Sequence, residues 1–224
     1  MGYEALVRWV HPQLGVIPPV AFVPRAEKEG LVGIVTDYVA ASAMKWFARS
    51  RLDTEERLAL NISATELKGS GLGERLLAAC KAVGLPPHRL ILEVTETSAI
   101  TDATHSLEVL TRLRLDGFQL SIDDFGTGYS SMMQLSNMPF SEVKIDRSFV
   151  KNLTTSPPAE VMVRSMLQLG RGLGLECTAE GVETSEVLDS LDALGCDFAQ
   201  GYFIAYPMNT HELDEWLAAR TTVS

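Results

Sequence analysis

Residues 120–131 read LSIDDFGTGYSS. An apolar run ends in two adjacent aspartates, Asp123 and Asp124, and a glycine-rich turn follows at once. The run has strand character and the turn marks the strand's C-terminal end. Neighbouring carboxylates repel, so this end calls for a counter-charge. An aspartate after a strand also caps helices, and GTG also makes plain turns. Taken alone, the stretch supports both uses equally. The decision depends on whether other strands end the same way.

They do. Further β-type runs are YEALVRW, LALNIS, LILEVTE, SEVKID, LECTAE and DFAQG, and the strand of the opening stretch begins as FQLSIDD. Helical spacing fills the intervals at residues 30–50, 73–83, 102–115, 160–173 and 185–194. Gly84, Gly117, Gly174 and Gly195 stand where helices would be capped. The prolines of NLTTSPPAE open a helix better than they make a linker, so residues 1–224 read as a single domain. Strands alternating with helices imply βαβ units and a parallel sheet. Seven strands are one short of a (β/α)8 barrel, and the vacant place falls before Tyr3. The expected fold is therefore α/β, a mostly parallel TIM-like barrel with its first strand missing or incomplete. A doubly wound sheet is the rival, but no glycine fingerprint follows an early strand. GRGLGL at residues 170–175 lies at a helix end and reads as a cap.

Polar groups close strand after strand. Glu4 lies in the first, Asn61 near the end of the second, and Glu93 in the third; Asp123 and Asp124 follow. Lys144 and Asp146 close the fifth, Glu180 the sixth and Gln200 the seventh. Burying such groups singly is costly, and in a parallel barrel all these ends share one face. Hard oxygen ligands with hardly any imidazole or thiolate suit Mg2+ or Mn2+. Two adjacent aspartates can serve two ions, one bridging both, and two such ions can clamp a phosphoryl transfer. Gly126 and Gly128 let the backbone turn sharply beside the ligands.

Composition excludes other classes. A net charge of −10 argues against DNA or general nucleic-acid binding. Cys80, Cys177 and Cys196 form no C-x-x-C pair and read as reduced thiols of a cytoplasmic protein. The four histidines form no H-x-x-x-H pair, so a histidine-based metal site has no support. No apolar run suffices to span a bilayer. The first residues lack the plan of a signal peptide, and their abrupt entry into a strand suggests a piece of a longer protein.

From Tyr3 to about Pro207 the sequence resembles the EAL-domain family of cyclic di-GMP phosphodiesterases. YEALVRW, NIS, LEVTE, DDFGTGYSS, VKIDRSF, AEGVET and GCDFAQGY match its motifs in order. The resemblance implies metal-dependent hydrolysis of one phosphodiester of cyclic di-GMP, giving linear pGpG. It implies metal ligation by Glu4, Asn61, Glu93, Asp123 and Asp124, with Asp124 between two Mg2+ or Mn2+ ions. Lys144 would hold or activate the attacking water, Asp146 would sit at the same water and metal, and Glu180 would act as general base or second-metal ligand. Leu6, Arg8, Glu183 and Gln200 would contact substrate. Glu96 would anchor a loop through Phe125, Gly126, Thr127 and Gly128 that runs to Ser131 and is linked to metal binding and a homodimer interface. Nearby metal charge would press the Lys144 pKa down. A flanking regulatory domain is also implied.

Plainer uses stand beside these. Arg8, on the strand that carries Glu4, could be a surface ion-pair residue, and Lys144 could only neutralise buried aspartates. Glu96 could cap a helix near Asp102, and Asn61 could be a turn amide. Met132, Met133 and Met138 read as packing. At the level of function, a catalytically inactive cyclic di-GMP receptor and an unrelated metal-dependent barrel enzyme are the alternatives.

Overall fold

A computed structural model describes residues 2–50, 55–128 and 132–221. The first half contains β1 (Gly2–Ala5), β2 (Trp9–His11), β3 (Gly15–Ile17), α1 (Pro19–Lys28), α2 (Val32–Arg49), β4 (Arg57–Asn61), α3 (Ala64–Lys68), α4 (Leu72–Val83), β5 (Leu90–Thr95), α5 (Glu96–Thr101) and α6 (Ala103–Leu115). The second half contains β6 (Gln119–Phe125), α7 (Met132–Asn137), β7 (Glu142–Ile145), α8 (Arg147–Val150), α9 (Pro157–Leu173), β8 (Glu176–Ala179), α10 (Ser185–Leu194), β9 (Phe198–Ala199) and α11 (Thr210–Thr221).

Seven strands form one parallel sheet in the order β1-β4-β5-β6-β7-β8-β9. The order follows the chain, as successive right-handed crossovers require. Among the described residues the sheet is one strand short of a closed (β/α)8 barrel, and the break lies between β1 and β9. Curling brings those edges together at one point: Gln200, just after β9, donates to Glu4 Oε2 of β1 at 2.6 Å.

The five expected helices are all present, and α9 opens on Pro157 and Pro158. Gly84, Gly174 and Gly195 cap α4, α9 and α10 in the left-handed conformation, and Gly117 follows the cap of α6. The run 3–9 is the exception. It stops being a sheet strand at Ala5, and Trp9 starts a separate antiparallel hairpin, pairing with Ile17. Arg8 thus lies between two elements and not on the strand of Glu4.

Strand alternation sorts the side chains into two sets. Leu58, Leu60, Leu92, Val94, Leu120, Ile122, Val143, Ile145, Cys177 and Ala179 face outward into the hydrophobic core beneath the helices. From α2 that core receives Ala40, Met44 and Phe47, and from α9 Val163 and Leu167, at helical spacing. The opposite set faces the barrel interior and is largely polar: Glu4, Asn61, Glu93, Ser121, Asp123, Glu142, Lys144, Glu176 and Thr178. Arg57 at the start of β4 pairs with Glu176 at the start of β8 across the lower end. Among the described residues, no helix is long and apolar enough to cross a membrane.

Candidate metal-dependent active site

Lys144 is the centre of the upper end. Its side chain is 2% exposed. Its Nζ lies 2.7 Å from Glu180 Oε1, 2.8 Å from Glu93 Oε1, 3.5 Å from Glu4 Oε2 and 3.9 Å from Asp123 Oδ1. The partners come from β1, β5, β6 and the end of β8, so one ammonium gathers four strands. Glu4 is fixed further by Asn61, whose Nδ2 donates to Oε1 at 2.8 Å, and by Gln200 on the other oxygen. Asn61 and Glu93 are register partners on β4 and β5, which sets them side by side on one face.

The paired aspartates get there by a local break in the ladder. Successive strand residues normally point to opposite faces, so Asp123 and Asp124 could not both reach the mouth of a regular strand. The β6–β7 register shifts between Ile122 and Phe125. Asp124 adopts φ 55°, the only positive value of a non-glycine among the described residues. Such irregularities re-aim side chains at sheet ends, and aspartate tolerates this conformation better than most residues. Asp124 N–H also donates to Asp123 Oδ1 at 2.9 Å. Asp123, Asp124 and Glu180 each offer an oxygen, all within 4.8 Å of one another.

The turn after the pair is held by Glu96, 2% exposed, whose Oε2 accepts from Gly126 N–H at 2.9 Å and Gly128 N–H at 3.2 Å. A Cβ on Gly126 would collide with Met166 and Phe149, and one on Gly128 would meet Glu96 Oε1 at 2.7 Å. Both glycines are therefore required by contact. Glu96 sits in the first turn of α5, which Thr95 caps, and the helix near Asp102 is capped by Asp102 itself, so Glu96 does not cap it. Tyr129, Ser130 and Ser131 lie outside the described residues, as do the side chains of Met132 and Met133; Met138 packs against the core.

Electrostatics divides the cluster. Burial raises Glu93 well above the usual carboxylate range, and the Lys144 charge opposes this only in part. Burial also lifts Glu180, to about 7, against the pull of Lys144. At Glu4, burial is outweighed by Lys144 with the hydrogen bonds of Gln200 and Asn61, and the carboxyl is lowered. Asp124 is raised by burial and by the charges of Asp123 and Asp146. Without metal charge beside it Lys144 is raised, whereas the expected downward pressure belongs to the metal-loaded site. Burial disfavours its charge, but Glu93, Glu4, Glu180 and Asp123 together hold it protonated and above the ordinary lysine value.

The remaining expected residues are arranged differently. Asp146 caps α8, accepting from Ser148 N–H at 3.0 Å and from the Ser148 hydroxyl, while its charge still acts on Asp124. Arg8 is exposed, and its guanidinium donates to the neighbouring Val7 carbonyl at 2.9 Å. Leu6 is 43% exposed and Glu183 is exposed. Beneath Lys144 lies a pair the motif reading passed over: buried Glu142 accepts from the Thr178 hydroxyl. Period two was the available signal, since Glu142 precedes Lys144 by two and Thr178 precedes Glu180 by two.

The donor set fits divalent cations. It is rich in carboxylate oxygens with one amide and one compensating ammonium. Glu93 Oε2 is buried with no hydrogen-bond partner among the described residues, which suits an oxygen meant for an ion.

Residues 1–207 match the sequence profile described as EAL domain. The chain belongs to the EAL domain family. Among similar proteins, cyclic di-GMP phosphodiesterase PA2567 of Pseudomonas aeruginosa is 40% identical over 96% of this chain and 37% of its own length. Cyclic di-GMP phosphodiesterase RocR of the same organism is 38% identical over 96% of this chain and 55% of its own length. The solved structure described as PaMucR phosphodiesterase, c-di-GMP complex, superimposes with a TM-score of 0.89 at 40% identity, covering 94% of this chain and 86% of that one. The chain thus spans between about a third and just over half of these curated relatives. The EAL family implies divalent-metal use, and a carboxylate cluster of Asp123, Asp124 and Glu180 is present here.

Proposed function

We propose that residues 1–224 form a single EAL-type unit that hydrolyses one phosphodiester bond of cyclic di-GMP to linear pGpG in bacterial second-messenger signalling. The observation that carries this reading is the convergence of Glu4, Glu93, Asp123 and Glu180 on buried Lys144. Relatives with the same fold are named for this activity, and one solved relative is described as a c-di-GMP complex.

Glu4, Asn61, Glu93, Asp123 and Asp124 would hold two Mg2+ or Mn2+ ions, which supply Lewis-acid charge for the phosphoryl oxygens and for activation of water. Glu180, poised near neutrality, accepts the proton of the attacking water. Lys144 keeps four carboxylates in register and orients that water by donation. Asp146 contributes negative charge beside Asp124 while fixing the start of α8. Gln200 holds Glu4 in place, and Leu6, Arg8 and Glu183 line the approach for the nucleotide. The Glu96-anchored loop would relay a homodimer contact to the metal ligands, a flanking domain would set the output, and the setting is cytoplasmic.

The test is conversion of cyclic di-GMP to pGpG by the purified protein with Mg2+ or Mn2+, with and without chelator. Metal-dependent product formation is expected. Tight binding with no product at any metal concentration would leave the receptor reading in its place, and turnover in chelator would refute the metal role.

A further inference from the structure

The single-turn helix α8 is wedged between two loops of the site. On one side lies Gly126, two residues past Asp124. A Cβ there would stand 2.9 Å from Phe149 Cε2 of α8 and would also strike Met166 of α9. On the other side lies Gly181, directly after Glu180. A Cβ there would meet Arg147 Cβ at 2.5 Å and Arg147 Cα at 3.3 Å. Both glycines hold positive φ, 97° and 70°, so both loops rest on the helix at positions that exclude a side chain twice over. The helix itself is fixed. Val150 is wholly buried in the core, and Phe149 and Met166 pack against that core. Asp146 accepts from Ser148 N–H at 3.0 Å, and Glu180 N–H donates to the Ile145 carbonyl of β7 at 3.1 Å. A single turn has no stability of its own, so α8 persists through these contacts. The ligand-bearing turn is thus gripped from two directions: Glu96 ties the Gly126 N–H by a hydrogen bond, and Phe149 blocks its path toward β8.

From this placement we propose that α8 is a spacer, in which Phe149 is a positioning residue that fixes the separation of Asp124 from Glu180 and thereby the affinity of the cluster for a divalent ion. Asp123, Asp124 and Glu180 each offer an oxygen within 4.8 Å of one another, and the first two and the last stand on opposite sides of α8. Small hard cations hold oxygen ligands at about 2.0–2.1 Å in strict geometry, so a modest shift of one loop costs affinity. Phe149 acts through Gly126 and does not itself offer a ligand atom. The inference rests on the metal-binding reading above.

The experiment measures Mn2+ binding to the intact chain by calorimetry, beside thermal melts in chelator. Phe149→Ala is expected to raise the Mn2+ Kd about ten-fold or more, the scale of a lost supporting contact around a metal site. Phe149→Leu, which keeps most of the bulk, recovers most of the affinity. Leu173→Ala is the control: it removes a core contact from the end of α9, two turns beyond Met166, and should lower the Tm while leaving the Kd within about two-fold. Where Phe149→Ala does not fold, Gly181→Ala carries the test, since its methyl drives the other loop off Arg147; a raised Kd upholds the spacer and an unchanged one overturns it. A wild-type Kd in Phe149→Ala, or an equal rise in Leu173→Ala, also overturns it. Wild-type protein that binds no Mn2+ refutes the spacer and the metal reading together. Wild-type protein that binds Mn2+ and makes no pGpG sinks the hydrolase reading alone, and the same comparison of Kd values still decides the spacer.

Discussion

Lys144 Nζ and Glu93 Oε1 stand 2.8 Å apart across the barrel interior, with both side chains almost wholly excluded from solvent. Neither strand could carry its charge alone. Removing one partner of a buried pair typically costs about 3–5 kcal/mol, because the other is left uncompensated. Lys144→Met should therefore lower the Tm sharply in chelator. Divalent cations would occupy the vacated charge balance, so Mn2+ should restore more stability to the variant than it adds to the wild type. Turnover should stay at least about a hundred-fold down even with saturating metal, the scale of a lost preorganised donor at the reacting centre. Thermal melts with and without Mn2+, beside a pGpG assay, check both halves. Equal Mn2+ shifts in the two proteins would contradict the argument.

Glu96 holds the glycine-rich turn through two backbone N–H groups and touches none of the candidate ligands in that contact. Its removal should loosen the turn that aims Asp124. Glu96→Ala is expected to weaken Mn2+ activation about 10–100-fold, as losses of outer supporting groups do, with little change in KM at saturating metal. Gly128→Ala should act in the same direction, because its methyl meets the Glu96 carboxylate. Metal titrations of initial rate measure the effect. Wild-type metal dependence in both variants would remove the loop from metal binding.

Much of this architecture is written in local pattern. The sheet strands and five helices follow from alternation of apolar runs and from glycine caps, which act within a few residues. The convergence of the polar strand ends was legible for the same reason, since parallel strands share one C-terminal face. Other features depend on distant partners. The run YEALVRW is uniformly strand-like, yet it breaks at Ala5 because Trp9 pairs with Ile17 and not with β4. The upward shift of Lys144 needs four carboxylates that meet only in the fold. Short helices such as α3 and α8 lack a full apolar period and are set by their surroundings. The polar interior layer of Glu142 and Thr178 was visible as period two, but no motif singled it out.

Asp124 holds a left-handed backbone conformation and a carboxylate raised by burial and by its acidic neighbours, two local costs accepted at one position. Backbone strain of this kind is worth about 1 kcal/mol or more. Asp124→Gly relieves the strain and the repulsion together, although glycine adds freedom to the unfolded chain. In chelator the variant should melt at or above the wild-type temperature. With Mn2+ the order should reverse, and turnover should be lost. A variant less stable than wild type in chelator would show that Asp124 serves the fold before it serves the ion.

The raised Glu180 fixes the direction of a pH effect. Its carboxyl titrates at about 7 in the folded protein and in the ordinary glutamate range when unfolded. Between those values the folded state binds the extra proton, so this group's contribution to stability falls as pH rises. Glu93, raised by burial, acts in the same direction, whereas lowered Glu4 acts below the window. Divalent ions need the carboxylates deprotonated, so metal stabilisation should grow over the same interval. In chelator the Tm is expected to decline between pH 5 and pH 8 by an amount that Glu180→Gln reduces. The Mn2+-induced shift should be small at the acid end and largest at pH 8. Melting curves across this range, in chelator and in Mn2+, measure both trends. A Glu180→Gln profile identical to wild type in chelator would show that the titrating group in this window is not Glu180.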